Sequence, residues 1–420
     1  MTTSSAGKTS RNPRSPRTLA VRRVRLLLIL AGLSAASPLA TDMYVPALPD
    51  LARSLGTDAA GAQMSLTGFL VGIIIGQLLL GPLSDATGRR PVLITGSLLF
   101  AAFSTACAMA PTVEVLNAAR VGQGITGAAG IVVSRAVVAD LFDDRELPSV
   151  FSRLGAITAT APVLAPLIGG ALLLSVSWRY LFAALAVTGL LLALGVLHWL
   201  PESHPPQARL TGGLSSSLRA IGRVAGRRAV VMPALALAFG GAAVFAYIAG
   251  TTFVFQDIYR LSPSLASLVY GVNAIGNMTG SLAYGRLARH RSPETLLIAS
   301  GTIATTGTAA LLLIQTTTGS TMLLTWLCLL TVITAFGVFF PAVITIAQSR
   351  GRAAPGATSA LLGGGQFLLG AAASPLVGQF GTQSPAPMAA VMTSCLAAAT
   401  LAAILTRTAT YELPQQTEHG

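Results

Sequence analysis

Two charged residues, Asp42 and Arg120, stand inside long apolar runs of a sequence in which charge is otherwise rare. A carboxylate in such a run can bind and release a proton, and a nearby positive charge favours the ionised carboxylate and so helps to expel that proton. Asp42 is the one acidic residue that we place inside an apolar run rather than at its end. Because it comes late in its run, it can equally be an aspartate that faces water at the edge of the apolar layer.

Arg120 also has two interpretations. An arginine at the centre of a membrane helix costs at least about 2.5–3.5 kcal/mol, so we expect it to face the interior of a bundle and to find partners there. It either ties its own helix to the backbone carbonyls of neighbouring helices or supplies a fixed positive charge beside a cavity.

The composition predicts that membrane helices position these residues. The chain has 420 residues, 53% hydrophobic and 10% charged, with a mean hydropathy of +0.70. Soluble proteins carry about 25% charged residues. The three cysteines and four histidines are dispersed, so we expect no disulfide framework, metal site or cofactor. No nucleophile–base constellation is visible either, and an enzyme is not expected.

Apolar stretches of about 20 residues, the length that crosses a hydrocarbon core, recur along the whole chain. The first is longer than the apolar part of a signal peptide, so we expect it to be retained. Twelve membrane helices are predicted, at 25–45, 62–82, 91–110, 114–138, 149–174, 178–199, 229–255, 264–286, 294–315, 320–347, 357–379 and 386–406.

The distribution of cations predicts the orientation. With the N-terminus inside, 22 of the 27 Lys and Arg residues fall in inside segments, and only Arg53, Arg179 and Arg260 fall in outside ones. Cytoplasmic loops carry this excess, so both termini are predicted to be cytoplasmic. The net charge of +13 therefore does not indicate nucleic acid. The predicted divisions are a basic tail (1–24), a six-helix bundle (25–200), a cytoplasmic linker (201–228), a second six-helix bundle (229–407) and a tail (408–420).

The two predicted bundles contain matching residues. Gly72, Gly76 and Gly81 recur with the same spacing at Gly276, Gly280 and Gly285, and Pro166 and Gly169 match Pro375 and Gly378. Parallel repeats with a binding site between them are a recurring plan among membrane transporters.

The connection between the second and third predicted helices, GPLSDATGRRPVLI (81–94), concentrates charge. Gly81 and Gly88 permit tight backbone turns. Asp85 can accept hydrogen bonds from Arg89 or from the free amides at a helix N-terminus. A basic turn on the cytoplasmic side with no other role is an equally good interpretation of these residues alone.

This connection resembles the loop 2–3 signature of the major facilitator superfamily, matched at Gly81, Leu83, Asp85, Gly88, Arg89 and Arg90. Arg120, Gln123 and Gly124 are similar to the R-x-x-q-G motif of that superfamily. Pro166, Gly169 and Gly170 are similar to its antiporter motif G-P-x-x-G-G, in which Ala165 replaces the first glycine. The runs TDMYVPALPDLA and SWRYLF resemble the Bcr/CflA drug-resistance subfamily.

The resemblance implies an all-α integral membrane protein of two pseudo-symmetric six-helix bundles, with the 81–94 connection acting as a latch between them. It implies proton-coupled export of small, largely apolar drugs or metabolites by alternating access across the bacterial cytoplasmic membrane. Proton-driven import of a small nutrient is the alternative. Asp42 would bind the external proton and Arg120 would bias its release. The expected partners are lipid, protons and a small-molecule substrate, without nucleic acid, and the expected state is a monomer.

A cavity between the bundles is expected to use polar and aromatic side chains, although the same side chains can simply pack or bond between helices. The candidates are Tyr44, Phe245, Tyr247, Phe253, Asn273, Asn277, Phe336, Phe340 and Gln366.

Overall fold

The computed structural model is built of long α-helices and describes residues 16–142, 150, 161, 164–205, 213–317, 321–352, 354–379, 381 and 383–408. The helices are α1 (Pro16–Asp42), α2 (Leu48–Ser54), α3 (Ala59–Thr87), α4 (Arg89–Ala108), α5 (Val113–Leu141), α6 (164–172), α7 (Arg179–Trp199), α8 (Gly213–Ala225), α9 (Arg228–Phe253), α10 (Pro263–Leu287), α11 (Pro293–Thr317), α12 (Met322–Arg350), α13 (Pro355–Gln379) and α14 (Ala386–Thr408). Most of the fifth predicted membrane helix, 149–174, lies outside the described residues.

Ten helical segments in the described part of the chain are long and apolar enough to cross a membrane. They correspond to ten of the twelve predicted membrane helices. The eighth, predicted at 264–286, is present as α10. Its apolar side chains are divided between the bundle interior, where Ala266, Val269 and Tyr270 are buried, and an exposed face. The exposed members of that face are Leu265, Leu268, Val272, Ile275, Met278 and Leu282. Spacings of three and four residues place these side chains on one stripe, while Ser267 and Asn273 are buried on the other side.

The first apolar segment extends beyond its predicted end at residue 45 and continues to Ser54. Helix α1 ends at Asp42 because Pro46 has no N–H to donate to the Asp42 carbonyl. A short 3-10 turn, Val45–Ala47, then leads into α2. Since Tyr44, Leu48 and most of α2 are buried, the break at Asp42 lies within the protein and not at its edge.

Glycines bring helices into contact in equivalent places in the two halves, α1–α7 and α9–α14. In the N-terminal half, a Cβ atom at Gly76 of α3 would overlap the carbonyl oxygen of Ile125 in α5. In the C-terminal half, a Cβ atom at Gly280 of α10 would overlap the carbonyl oxygen of Thr334 in α12. Gly76 and Gly280 therefore make the same kind of close helix crossing.

The bundle has two ends, which we name the Asp42 end and the Arg89 end after residues that lie there. Among the residues that the structure describes, four hydrogen bonds and one ion pair join the halves at the Asp42 end. At the Arg89 end, α8 contacts α3, α9 and α13. The predicted polar linker 201–228 thus contains a helix that touches both halves.

The crossing of α10 and α12 gives a direct test of this packing. We expect Gly280→Ala to lower the thermal unfolding temperature in detergent by several degrees, because overpacking of this kind costs about 1–3 kcal/mol. Gly285→Ala on the same helix is the matched control, since a Cβ atom there meets nothing within 4 Å. It should leave the unfolding temperature unchanged or raise it slightly. Equal unfolding temperatures for the two variants would contradict the close crossing.

Candidate functional site

Arg120 is fully buried and binds the end of α1. Its Nη1 donates to the carbonyl oxygen of Ala40 at 3.0 Å and to Oε1 of Gln123 at 2.6 Å, and its Nε donates to the carbonyl oxygen of Ser65 at 3.2 Å. The last carbonyls of a helix have no donor within the helix, and Ala40 is one of the last residues of α1. Arg120 of α5 thus supplies a donor that the broken α1 lacks.

Aromatic rings surround the same guanidinium. Its carbon lies 4.2 Å from the ring centre of Phe69, 4.4 Å from that of Tyr44 and 5.6 Å from that of Phe182. Cation–π contacts of this kind become stronger when the cation is desolvated. The predicted cavity residue Tyr44 is fully buried and packs on Arg120, so in this structure it belongs to the arginine site.

The motif residues that follow Arg120 complete this site. Gln123 accepts from Arg120 and also links it to α4, because its Nε2 donates to Oγ of Ser104 at 2.7 Å. A Cβ atom at Gly124 would overlap the carbonyl oxygen of Phe69, so a glycine is needed where α3 meets α5. Of the two interpretations of Arg120, these contacts match the one in which it ties neighbouring helices together.

Asp42 occupies a different environment although it is only two residues from Ala40. It is partly buried, and within the described part of the chain its carboxylate has no hydrogen-bond or ion-pair partner. It is close enough to the phenol groups of Tyr247 and Tyr270 to interact with both electrostatically. Both tyrosines belong to the opposite half of the protein, so Asp42 faces across the interface between the halves.

The tyrosines are held by a chain of hydrogen bonds. Nε1 of Trp326 donates to Oδ1 of Asn273 at 3.1 Å, and Nδ2 of Asn273 donates to the Tyr247 oxygen at 2.8 Å. The Tyr247 hydroxyl therefore accepts a hydrogen bond from Asn273, and its own proton can be donated to a further acceptor. Tyr270 donates to the carbonyl oxygen of Ile248 at 2.9 Å. Trp326 and Tyr270 were missed in the sequence, where nothing local distinguishes them from other aromatic residues.

The other candidate cavity residues are mostly packed. Phe253 and Phe336 are buried, and Phe336 and Phe340 have ring centres 5.5 Å apart. Nδ2 of Asn277 donates to the carbonyl oxygen of Ile333 at 3.2 Å and so joins α10 to α12.

Phe245 and Gln366 lie where α9 meets α13. A Cβ atom at Gly370 would overlap the Phe245 ring, and one at Gly241 would overlap the Gln366 side chain. Both residues thus fill space between these two helices.

The antiporter-like motif lies at the Asp42 end. A Cβ atom at Gly169 of α6 would overlap the carbonyl oxygen of Met43, and one at Gly170 would overlap the side chain of Ser267 in α10. These two glycines therefore let α6 contact both α1 and the opposite half. Pro166 is the third matched residue and lies in the same helix.

The 81–94 connection forms an ion-pair cluster at the Arg89 end. Arg89 pairs with Asp85, as predicted, and its Nε also contacts Oδ2 of Asp140 in α5 at 3.2 Å. Gly81 lies near the end of α3 and Gly88 has a φ of 107° between α3 and α4, a conformation that favours glycine.

Glu202, which follows α7, caps the helix that begins at this cluster. Its two carboxylate oxygens accept hydrogen bonds from the backbone N–H groups of Arg89 at 2.9 Å and of Arg90 at 3.2 Å. The guanidinium of Arg90 donates to the carbonyl oxygen of Leu197 at 2.6 Å. The free amides at the start of α4 thus bind Glu202 and not Asp85. Sequence reasoning missed Glu202 because the cap comes from more than a hundred residues away.

The arginine motif, the glycine crossings and the charged loop 2–3 connection recur together in one known family. The sequence profile of the Major Facilitator Superfamily matches residues 30–375. The chain belongs to the Major Facilitator Superfamily. It is a multi-pass transporter of a bacterial cytoplasmic membrane.

Relatives match either nearly the whole chain or about half of it. An uncharacterized MFS-type transporter, YdgK of Bacillus subtilis (strain 168), is 39% identical over 88% of this chain and 92% of its own length. A bicyclomycin resistance protein homolog of Haemophilus influenzae is 29% identical over 90% of this chain and 94% of its own length. Multidrug resistance protein D of Escherichia coli (strain K12) is 34% identical over 46% of this chain and 50% of its own length. These names match the Bcr/CflA subfamily, as the sequence predicted.

Solved transporters share the fold at low identity. The xylose transporter XylE from E. coli, in a partially occluded inward open conformation, superposes with a TM-score of 0.72 at 16% identity, over 92% of this chain and 98% of its own. The nucleoside transporter NupG superposes with a TM-score of 0.72 at 13% identity, over 92% and 99%. Similarity at this level establishes the fold alone.

The capping role of Glu202 can be measured. We expect Glu202→Ala to lower the thermal unfolding temperature, because loss of a helix cap costs about 0.5–2 kcal/mol. Glu202→Gln keeps one acceptor oxygen but loses the charge that favours a helix N-terminus, so its unfolding temperature should fall between those of the wild type and Glu202→Ala. An unchanged temperature for Glu202→Ala would show that the cap contributes nothing.

Proposed function

We propose that this transporter exports small, largely apolar compounds from the cytoplasm in exchange for protons. The observation that carries the proposal is Asp42, an unpaired carboxylate in the described structure that faces tyrosines of the opposite half. The names of relatives, which refer to resistance to bicyclomycin, chloramphenicol and multiple drugs, support the direction of transport and the class of substrate.

Asp42 is suited to carry a proton. A carboxylate without a cationic partner binds a proton more readily than one held in an ion pair. Its position at the interface lets the protonated and ionised forms interact differently with the two halves, which is the requirement for coupling a ligand to a conformational change. One proton that enters the cell releases about 2.3 kcal/mol per 100 mV of membrane potential.

Arg120 biases the release of this proton by its fixed charge. The guanidinium binds the carbonyl of Ala40, so its positive charge is held beside the end of α1 from which Asp42 projects. In this proposal Arg120 has a structural and an electrostatic role together.

We further propose twelve membrane helices, six in each half, with both termini, the 201–228 linker and the Arg89 end in the cytoplasm. The exposed apolar stripe of α10 supports its assignment as the eighth of these helices. The concentration of Lys and Arg in the segments that precede α1, join α3 to α4 and join the two halves supports the orientation. The protein is proposed to work as a monomer.

Drug susceptibility in an efflux-deficient host tests the role of Asp42. Expression of the wild type should raise the minimum inhibitory concentrations of bicyclomycin and chloramphenicol several-fold, and Asp42→Asn, which cannot ionise, should abolish the increase. Asp50→Asn is the matched control, because Asp50 lies at the same end with a half-exposed side chain and should leave resistance intact. Full proton-driven export by Asp42→Asn would refute the assigned role.

Transport direction is measured with the same compounds in inverted membrane vesicles that hold an acid interior. Addition of a transported compound should dissipate the pH gradient for the wild type but not for Asp42→Asn. Uptake of these compounds into right-side-out vesicles together with protons would instead establish an importer.

Cysteine labelling tests the orientation. In a variant that lacks Cys107, Cys328 and Cys395, single cysteines replace Gly222 of α8 or Gln383 of the Asp42 end, both of which are exposed. A membrane-impermeant maleimide should label Gln383→Cys in intact cells and Gly222→Cys only after permeabilisation. The reverse pattern would invert the proposed topology.

A further inference from the structure

Gln63 of α3 bridges the two halves with both ends of its side chain. Its Oε1 accepts a hydrogen bond from the backbone N–H of Gly378 in α13 at 2.9 Å, and its Nε2 donates to the carbonyl oxygen of Ala249 in α9 at 3.2 Å. The side chain is fully buried. One amide thus binds two helices of the opposite half at the Asp42 end.

Thr67, one turn further along α3, extends the same contact. Its hydroxyl donates to the carbonyl oxygen of Ala371 at 2.8 Å. That carbonyl lacks its usual helical donor, because Pro375 stands four residues later and has no N–H. The proline in α13 therefore creates the acceptor that Thr67 uses.

A glycine makes the bridge possible. A Cβ atom at Gly378 would lie 2.6 Å from the backbone nitrogen of Ala60 and 2.6 Å from Oε1 of Gln63, closer than real side chains come. Towards the Arg89 end, a Cβ atom at Gly364 of α13 meets nothing within 4 Å, and one at Gly363 would lie 3.2 Å from the side-chain oxygen Oε1 of Gln77 in α3. The close approach of the α13 glycine to the α3 backbone is therefore found at the Asp42 end.

We propose that Gln63 is the clamp that holds the external end of the transporter closed and sets how readily that end opens. It is a positioning residue, which acts on the equilibrium between conformations and not on the substrate. The proposal rests on the proposed function only for the external location of the Asp42 end. Opening at this end breaks both Gln63 bonds and admits water between α3 and α13.

Substitution by glutamate separates this role from simple packing. A protonated glutamate can reproduce both bonds, since it has one acceptor oxygen and one O–H donor. The ionised form has no donor and brings a negative charge towards the carbonyl of Ala249. Gln63→Glu should therefore close the external end at low pH and open it at high pH.

The opening is measured as a distance between spin labels at Glu114 and Gln383, two exposed residues of opposite halves at the Asp42 end. The labels are attached to cysteines in the background that lacks the native cysteines. We expect Gln63→Ala to raise the ratio of open to closed molecules roughly thirtyfold, the factor that loss of two net hydrogen bonds gives. Gly378→Ala should produce the same shift at every pH, and Gly364→Ala on the same helix should produce none.

The ratio of open to closed molecules is measured from about pH 5 to about pH 9 in Gln63→Glu and in the wild type. The pH response of the new carboxyl group is the difference between the two proteins. The other charged groups at this end include Asp42, Asp58 at the start of α3, and the Arg53–Asp257 pair between the halves. The wild type contains all of them, so the difference isolates the new carboxyl group.

Two results would overturn the clamp: unchanged distances in both Gln63→Ala and Gly378→Ala, or a Gln63→Glu response to pH identical to that of the wild type. If the wild type transports but the distances in these variants are unchanged, the clamp proposal is refuted and the proposed function stands. Shifted distances in the variants, together with a wild type that fails to transport, would keep the clamp and refute the proposed function.

Discussion

A guanidinium with no exposed surface must obtain its hydrogen bonds from the protein, and this requirement organises the N-terminal half. Arg120 obtains them from carbonyl oxygens of two neighbouring helices, at Ala40 and Ser65, and from Gln123 of its own helix. Loss of one of these hydrogen bonds would leave a buried charged donor without its acceptor, which costs more than the loss of a hydrogen bond between neutral groups. The positions of α1 and α3 relative to α5 are therefore fixed at one level of the bundle.

Interrupted helices supply some of the acceptors for these contacts and for the contacts between the halves. Pro46 ends α1 and frees carbonyls near Ala40, where Arg120 binds. Pro375 frees the carbonyl of Ala371, where Thr67 binds. The carbonyl of Pro46 itself accepts from Gln256 of the C-terminal half at 2.7 Å. In an apolar bundle, where every free carbonyl needs a donor, prolines thus determine where helices can be joined by polar side chains.

The sequence predicted the features that depend on local composition. Ten membrane helices followed from apolar runs of about 20 residues, and the pair Asp85–Arg89 followed from its spacing of four in one short stretch. Gln63 and Thr67 also left a signal, because two polar residues four apart in an apolar helix share a face. No pattern near Glu202 indicated that it would cap α4, since that contact depends on how α7 ends beside α4. The tyrosines that face Asp42 likewise come together only through tertiary packing.

The cap formed by Glu202 also attaches the start of the linker to the N-terminal half. Glu202 follows α7 directly and binds the start of α4, and Ser203 donates to Oδ2 of Asp140 at 2.9 Å. The first residues of the linker are thereby attached to the N-terminal half. Helix α8, later in the linker, contacts α3 and α13. The linker is thus bound to one half at Ser203 and touches both halves at α8.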